Sequence, residues 1–532
     1  MAGYFFMIFP DFSEFSTLSQ QGNFIPVYQE WVADLDTPVS AWYKVCAGQP
    51  YSFLLESVEK GERLGRYSLL GCDPLWVLEA GTNPDRSVTD EYRTVRTHRD
   101  GTEETFSGNP FEVLADCLRP YQPVTLPQLP SGIGGLFGFW GYELIQWIEP
   151  RVPVHPATAA DLPDGLWMQM DHLLVFDQIE RKIWAIAYAD LRDPSVDVAQ
   201  AYQDACDRVM GLVRKLQAPL SFEDVFLEWA SPRSVKNQAA PEIAYNSNVT
   251  RSQFCENVRR AKDYIRAGDI FQVVLSQRLS AAYEGNPFDL YRSLRLINPS
   301  PYMAYFHFRD WQLIGSSPEV MVKAEHTTDG GKLATVRPIA GTRPRGATPT
   351  EDKALAEDLL RDPKEIAEHV MLVDLGRNDL GRVCQSGSVV VDELMAIERY
   401  SHVMHIVSNA IGQLAPDCNA WDLLKACFPA GTVSGAPKIR AMEIIGELEG
   451  ERRGPYSGTY GYYDFQGQLN AAITIRTMIV RKQPDTAADA NEHLVNVQAG
   501  AGLVADSDPE KEYQETLNKA RGLLEAMRCL HV

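Results

Sequence analysis

DPKEIAEHVMLVDLGRNDLGRV, Asp362–Val383, is the stretch on which the reading of this chain turns. It predicts a helix followed by a turn. Asp362 suits the N-cap, Pro363 the first helical position and Glu365 the third, which is the spacing of a capping box. Ile366, Val370 and Val373 recur at helical spacing, which assigns that face to the core. Glu365 and Glu368 stand three residues apart, so their carboxylates leave one face of the helix. A hard dication such as Mg²⁺ takes oxygen ligands of this kind and keeps waters for a substrate. The plainer alternative has Glu365 closing the capping box and Glu368 facing solvent, since exposed glutamate is the commoner case on a helix.

The surroundings are those of an ordinary folded protein. The chain has 532 residues, 45% hydrophobic and 23% charged, enough for two domains or one large composite one. A formal net charge of −21 repels phosphate backbones and argues against nucleic acid as a partner, while leaving room for a locally positive cleft. Nine cysteines without a C-x-x-C pair argue for a reducing compartment and against a disulfide framework or zinc site. No apolar run approaches the roughly 20 residues of a spanning helix. The start, MAGYFFMIFP, lacks a basic segment, and the first Lys or Arg is Lys44, which argues against a secretory signal or transit peptide. The expected location is the cytosol, or a plastid stroma if a transit peptide has been removed.

Residues 1–216 form a first region. Phe53–Ser57 reads as a strand ending in polar groups, and His172–Asp177 with Lys182–Asp190 as a strand pair. Val198–Leu216 reads as a helix. GGLFGFWGYEL, Gly134–Leu144, lacks the G-x-x-x-x-G-K-[ST] pattern of a phosphate loop and predicts glycine packed against aromatics. Residues 217–246 are polar and broken by proline, as a linker is. The second region, 247–532, opens with a helix over Arg251–Ala267 closed by Gly268. Strands follow at Phe271–Ser280, PYMAYFHF, WQLIGSSPE and Ser401–Leu414, and Leu333–Gly346 reads as a strand that breaks into a basic, Pro/Gly-rich loop. GTYGYYD, LNAAITIRTMIV and LVNVQAGAGLVAD predict three more, sequential and antiparallel, before a closing helix over Glu510–Met527. Strands and helices without a βαβ rhythm predict an α+β fold with largely antiparallel sheets.

Three further stretches can carry chemistry. Phe428–Ile445 is a Gly/Ser/Thr-rich turn feeding a helix, and Lys438 and Arg440 beside it suit either an anion or simple capping. Gly500 and Gly502 at a strand end either admit a ligand against the backbone or mark a bulge. Arg476 falls mid-strand among apolar neighbours, where a guanidinium needs an anionic partner. His405 shares a strand face with Val403 and Val407, as a core histidine or an acid–base group.

PIAGTRPRG, EHVMLVDLGRNDLGRV, YSHVMHIVS, FPAGTVSGAPK, GTYGYYD and QAGAGLVADSDPEKEYQET occur in that order between Pro338 and Thr516. Together they resemble the chorismate-utilising enzymes. LLES at 54–57 with NPSPYM at 298–303 is similar to the anthranilate synthase component I branch. The resemblance implies two largely antiparallel sheets packed face to face with helices outside. Isochorismate and salicylate synthases carry a water-activating Lys where this chain has Gln272, and aminodeoxychorismate synthases commonly carry a nucleophilic Lys where it has Ala340. Both differences imply direct attack by ammonia at C2 of chorismate.

The resemblance also implies residue roles. Glu365, Glu368 and Glu515 hold Mg²⁺ against the ring carboxylate, with Lys519 a further charge nearby. Arg476, Tyr456 and the backbone at Gly500, Ala501 and Gly502 hold the enolpyruvyl carboxylate, and Gly341, Thr342 and Thr432 line the same pocket. Glu319 protonates the departing C4 hydroxyl, and His405 assists the loss of pyruvate. The implied product is anthranilate, the first step of tryptophan biosynthesis. The chain has no G-x-C-x-G nucleophile turn, so a separate glutaminase subunit, component II, is the expected partner in a hetero-oligomer. Glu56, Ser57, Pro301, Tyr302 and Met303 resemble the family's tryptophan pocket, which implies feedback inhibition. The rivals are an aminodeoxychorismate synthase component I and a non-catalytic tryptophan or chorismate sensor.

Overall fold

The helix expected after Asp362 runs over Pro363–Gly381 in the computed structural model, which describes residues 7–57, 66–81, 92–130, 132–158, 161–232, 234, 242–327, 330–400, 403–483 and 492–530. Asp362 caps it, accepting from the backbone N–H groups of Lys364 and Glu365. Two details differ from the sequence reading. Glu365 does not close a capping box; its carboxylate lies 3.5 Å from the Arg343 guanidinium. The buried stripe is His369, Leu372, Val373, Gly376, Asp379 and Leu380, and Val370 is 43% exposed. Counting only apolar residues placed the stripe wrongly because three of its members are polar or small. His369 Nε2 meets the Ser408 hydroxyl at 2.6 Å, and Gly376 lets the helix pack directly on Val336.

Two antiparallel sheets carry the molecule, and each takes strands from both sequence regions. The first runs from Phe24–Val32 through Lys182–Asp190, His172–Asp177, Tyr67–Cys72 and Tyr51–Glu56. It continues through Tyr302–Phe308, Trp311–Ser317, Thr477–Lys482, Glu492–Leu503 and Gln272–Glu284. The regions join where Tyr51–Glu56 pairs with Tyr302–Phe308, Glu56 opposite Met303. In the second sheet they join where Gly135–Trp140 pairs with Thr459–Asp464. Gly138 is required in that strand, since a Cβ there would lie 2.0 Å from the Leu166 carbonyl oxygen of the neighbouring strand Gly165–Met170. Glycine packing, not phosphate binding, therefore explains Gly134–Leu144.

The inner faces of the sheets meet in one core that joins Phe53, Val175, Ile186 and Phe306 of the first sheet to Phe137, Phe139 and Met168 of the second. Phe53 stacks on Phe137 with ring centroids 4.1 Å apart. Helices Val198–Gln217, Pro287–Ile297 and Pro509–Arg528 cover the outer face of the first sheet. Helices Pro110–Leu118 and Ala420–Cys427 pack beside the second, and helix Lys438–Glu449 packs on strand Gln272–Glu284 of the first. The α+β arrangement with helices outside is the one expected.

One expected strand is two. LNAAITIRTMIV splits into Leu469–Ile473 in the second sheet and Thr477–Lys482 in the first. The three residues between them carry the chain from sheet to sheet, and Arg476 takes a left-handed φ of 50°. A continuous β-rich pattern conceals such a crossover, because residues on both sides of it are buried strand residues. Residues 1–6, the linker segment 235–241 and the strand start at 401–402 lie outside the described residues. Among the described residues no helix is long and apolar enough to cross a membrane.

Candidate active site

The ends of these strands and two helices enclose a cavity of about 530 Å³. Gln272 and Val274 enter it from the first sheet beside Gln498–Gly500 and Gly502, while Ile339–Thr342 and His405 enter from the second. Helix Pro363–Gly381 supplies Glu365 and Glu368, and helix Pro509–Arg528 supplies Glu515 and Lys519. The glycines keep the floor open. A Cβ at Gly500 would lie 2.7 Å from the Tyr456 hydroxyl oxygen, and one at Gly502 would lie 2.9 Å from Gln272 Nε2. The Ala501 side chain is buried in the core on the opposite strand face, which leaves its expected backbone contact untouched.

Glu319 follows the end of strand Trp311–Ser317 and is 7% exposed. Burial pushes its carboxyl up to about 8, against smaller opposing effects of the Thr432 hydroxyl and the Lys519 charge. Thr432 donates its hydroxyl to Glu319 Oε1 at 3.0 Å. At neutral pH this is a carboxylic acid that holds its proton, which suits it to protonate a leaving oxygen.

His405 is set for the opposite task. A bulge in strand Ile339–Pro344 falls at Gly341, whose φ is 71°. The Gly341 carbonyl lies 2.9 Å from His405 Nδ1, with the Thr342 hydroxyl at 3.1 Å. The carbonyl can only accept, so Nδ1 carries the proton and Nε2 keeps its lone pair. Burial lowers the ring's pKa and keeps it neutral.

Arg476 lines the cavity from the crossover between the sheets. Burial lowers its pKa, and the charges of Glu515 and Tyr456 oppose that, but among the described residues its guanidinium closes no ion pair. A desolvated guanidinium of this kind is an anion site awaiting its ligand. Tyr456 stands beside it, with the Arg453 guanidinium 5.5 Å from its ring centroid. Arg453 is a structural post: it binds the Glu449 carboxylate and the carbonyls of Val433 and Val274.

The carboxylates stand in the same cavity. Burial and the charge on Glu368 both push the Glu365 carboxyl up. Glu368 accepts from Gln272 Nε2 at 3.2 Å, and Glu515 pairs with Lys519 at 2.8 Å. Lys519 also donates to the Gly500 carbonyl. Among the described residues no three metal-binding side chains are already gathered at ligand distance. The donor set nevertheless fits a hard dication, since crowded carboxylate oxygens on one wall destabilise each other until a cation lies between them.

The Phe428–Ile445 turn contributes Thr432 but no cationic anion site. Lys438 is bound to Asp379 at 2.8 Å, and Arg440 to Asp269 and Glu443. Away from the cavity, the two segments expected to form a regulatory pocket are brought together. Glu56 is buried and already held by Arg295, at 2.9 Å from Nε, and by the Tyr291 hydroxyl. Among the described residues the Ser57 hydroxyl is buried without a partner; Met303, opposite Glu56, is buried, as is Pro301.

Sequence reasoning missed Gln498, Glu512 and Asn518, which also line the cavity. Their positions were legible by period. Gln498 shares a strand face with Gly500 and Gly502. Glu512 and Asn518 stand three residues on either side of Glu515 on one helix.

A protonated acid, a neutral histidine, an unpaired guanidinium and a wall of carboxylates in one small cavity define an enzyme acting on a compact anionic molecule. The chain belongs to the chorismate binding enzymes, whose family profile matches residues 63–525. Anthranilate synthase component 1 of Synechocystis sp. is 68% identical over 524 residues, covering 98% of this chain and 100% of the relative. The protein of the same name from Acetivibrio thermocellus is 45% identical, covering 98% and 99%. Among solved structures, anthranilate synthase component I from Streptococcus pneumoniae TIGR4 matches with a TM-score of 0.72 and 35% identity, over 93% of this chain and 99% of that one. The menaquinone-specific isochorismate synthase MenF of Escherichia coli shares the fold, with a TM-score of 0.65 and 18% identity over 97% and 98%.

Proposed function

We propose that this chain is the large component of an anthranilate synthase, converting chorismate and ammonia to anthranilate and pyruvate. The observation that carries the reading is Glu319, an acid buried in the same cavity as Arg476, His405 and the three glutamates. The relatives named anthranilate synthase component 1, which align over nearly the whole chain, support it.

Arg476 and Tyr456 hold the enolpyruvyl carboxylate, and the backbone at Gly500 and Gly502 closes against it. Glu365, Glu368 and Glu515 would hold Mg²⁺, which would supply positive charge that orients and polarises the ring-carboxylate end of the substrate. Ammonia attacks C2, the ring double bonds shift, and the C4–O bond breaks as Glu319 passes its proton to the departing hydroxyl, which leaves as water. The proton shed by the new amine restores the acid. His405 Nε2 then takes the C2 proton, the C3–O bond breaks, and the enolpyruvyl group leaves and takes up a proton to become pyruvate as the ring becomes aromatic. Gln272 and Ala340 put no amine at their two positions to activate water or to attack first.

A glutaminase subunit, component II, supplies the ammonia, and the assembly works in the cytosol. Region 247–532 provides the catalytic groups. Region 1–216 provides Glu56 and Ser57 to a site for L-tryptophan, walled by Pro301, Tyr302 and Met303, whose occupation inhibits turnover.

The test needs no partner. The full chain, given chorismate, Mg²⁺ and a high concentration of ammonium salt at mildly alkaline pH, should produce anthranilate fluorescence that tryptophan suppresses and chelation abolishes. Chorismate consumed to a 4-amino product would assign the chain to the aminodeoxychorismate synthases. Tryptophan binding without turnover would make it a sensor.

A further inference from the structure

The basic segment PIAGTRPRG at 338–346 supplies a guanidinium that the reaction above does not use. Arg343 follows the bulge between Ala340 and Thr342 in strand Ile339–Pro344. Its planar group meets four neighbours at once. Nε donates to Asp358 and Nη2 to Asp362, each at 2.8 Å. Nη1 donates to the Thr342 carbonyl at 3.1 Å and stands 3.5 Å from Glu365 Oε1.

Asp362 is held twice. Its Oδ2 takes Arg343, while its Oδ1 caps helix Pro363–Gly381 by accepting from the N–H groups of Lys364 and Glu365. Glu365 is therefore fixed from both ends, its backbone through Asp362 and its carboxylate by the approach of Arg343 itself. The second carboxylate oxygen, Oε2, lies beside Gly341, where an added Cβ would come within 3.2 Å of it, and Gly341 lines the active-site cavity. The distances rank these contacts. The aspartates sit at charge-assisted hydrogen-bond length, whereas 3.5 Å is longer than a hydrogen bond. Asp358 and Asp362 thus neutralise the guanidinium, and Glu365 is oriented by it without having an oxygen occupied. A lysine could not do the same, since its compact ammonium lacks the fork that reaches several carboxylates in fixed directions.

We propose that Arg343 is a positioning residue for the divalent cation, holding the first turn of helix Pro363–Gly381 and the Glu365 carboxylate in the arrangement the ion requires. The inference rests on the function proposed above, in which Glu365, Glu368 and Glu515 take Mg²⁺. Arg343 does not line the cavity, so it acts through Glu365 and not on the substrate. Partners behind a metal-binding carboxylate fix its direction, and losing one weakens the metal about 10–100-fold. Glu368, one turn further along the helix, has Gln272 in the corresponding place.

Mn²⁺ takes the same oxygen ligands as Mg²⁺, and its free form is read by electron paramagnetic resonance. Titration of Mn²⁺ into the full chain without chorismate therefore measures the site apart from turnover, and binding at the site is the part that Glu368→Gln loses. Arg343→Met should weaken that part about 10–100-fold. Arg343→Lys, which keeps the charge but not the fork, should weaken it in the same direction and carries the decision if Arg343→Met does not fold. Asp358→Asn, at a side chain 64% exposed, removes the Arg343 partner outside helix Pro363–Gly381 and should leave the affinity close to that of the parent. In turnover the Arg343 variants should need more Mg²⁺ for half-maximal rate and approach the parental kcat once Mg²⁺ saturates, a split that general loosening of the fold does not produce. The inference is overturned if both Arg343 variants bind Mn²⁺ as the parent does, or if Asp358→Asn weakens it as much as Arg343→Met, which would make the cluster a fold contact only. Either result, from a parent that binds Mn²⁺ and forms anthranilate, sinks the positioning role alone. A parent that binds no Mn²⁺ at the site sinks the positioning role and the metal site together, and anthranilate formation by the same preparation then decides the reaction separately.

Discussion

A carboxyl group works as an acid at neutral pH only if something keeps its proton on, and for Glu319 that is burial, moving it from an ordinary 4.5 to about 8. Its folded pKa lies above its unfolded one, so between those values the native state binds the extra proton. Stability is therefore highest below about 4.5 as far as this group is concerned and falls as pH rises towards about 8. Turnover should fall over the same upper limit as the acid ionises. Glu319→Gln keeps a partner for Thr432 but cannot give a proton. Its kcat should drop by about 10²–10⁴, and its stability relative to the parent should rise as pH is raised through the parent's ionisation. Chorismate affinity measured in parallel should stay within a few-fold. An unchanged pH profile would place the acid elsewhere. His405→Asn should separate the two steps, consuming chorismate and accumulating 2-amino-2-deoxyisochorismate, visible by mass spectrometry. Anthranilate formation at the parent rate would remove the base from His405.

Helix Pro363–Gly381 has two tasks, divided along its length rather than between faces, since Leu372 also lines the cavity. Its N-terminal turns present Glu365 and Glu368 to the cavity, while Leu372, Val373 and Gly376 lock it to the second sheet. Leu372→Ala should destabilise the chain by about 2–5 kcal/mol, as large-to-small changes in a core do. Val370→Ala, on the exposed face, should change stability by less than about 0.5 kcal/mol. Denaturant midpoints compare the two, and equal effects would mean that the stripe drawn from Ile366, Val370 and Val373 was right after all. The strand Ile339–Pro344 is equally divided, since one bulge at Gly341 both ends its regular pairing and points a carbonyl at His405.

Over the whole molecule, the first sheet joins the proposed tryptophan site to the acid. Strand Tyr51–Glu56 pairs with Tyr302–Phe308, which pairs with Trp311–Ser317, two residues before Glu319. The Tyr460 hydroxyl donates to the Tyr302 carbonyl at 2.7 Å and accepts from the Ser317 N–H at 3.1 Å. Ser317 in turn accepts the Glu319 N–H at its hydroxyl. Two sites tied to one hydrogen-bonded element are coupled if that element has two arrangements. Ser57→Phe should abolish tryptophan binding and leave turnover intact. Tyr460→Phe should retain tryptophan binding, measured by calorimetry, but lose about 5-fold or more in inhibition, the lower end of ordinary coupling. Inhibition that follows binding unchanged in Tyr460→Phe would show that the signal does not pass through this hydroxyl.

Much of this protein is local in origin and could be read from the residues in order. Helix caps such as Asp362, the left-handed Gly268 after Arg251–Ala267, the alternation of the strands and the i,i+3 pair Glu365 and Glu368 all follow from short-range sterics and periodicity. The order of six motifs between Pro338 and Thr516 carried the family, and with it most of the cavity's lining. Tertiary structure alone decided which sheet each strand joins. Strand pairing depends on contacts far apart in sequence, which is why one run of apolar residues at 469–480 became two strands in two sheets and left Arg476 at the crossover rather than mid-strand. It also decided which charges are spent and which are free. Lys438, Arg440 and Glu56 are bound by partners distant in sequence, whereas Arg476 and Glu319 are desolvated without an opposite charge in contact among the described residues. Burial is a property of the packed whole, so no spacing in the chain announces it.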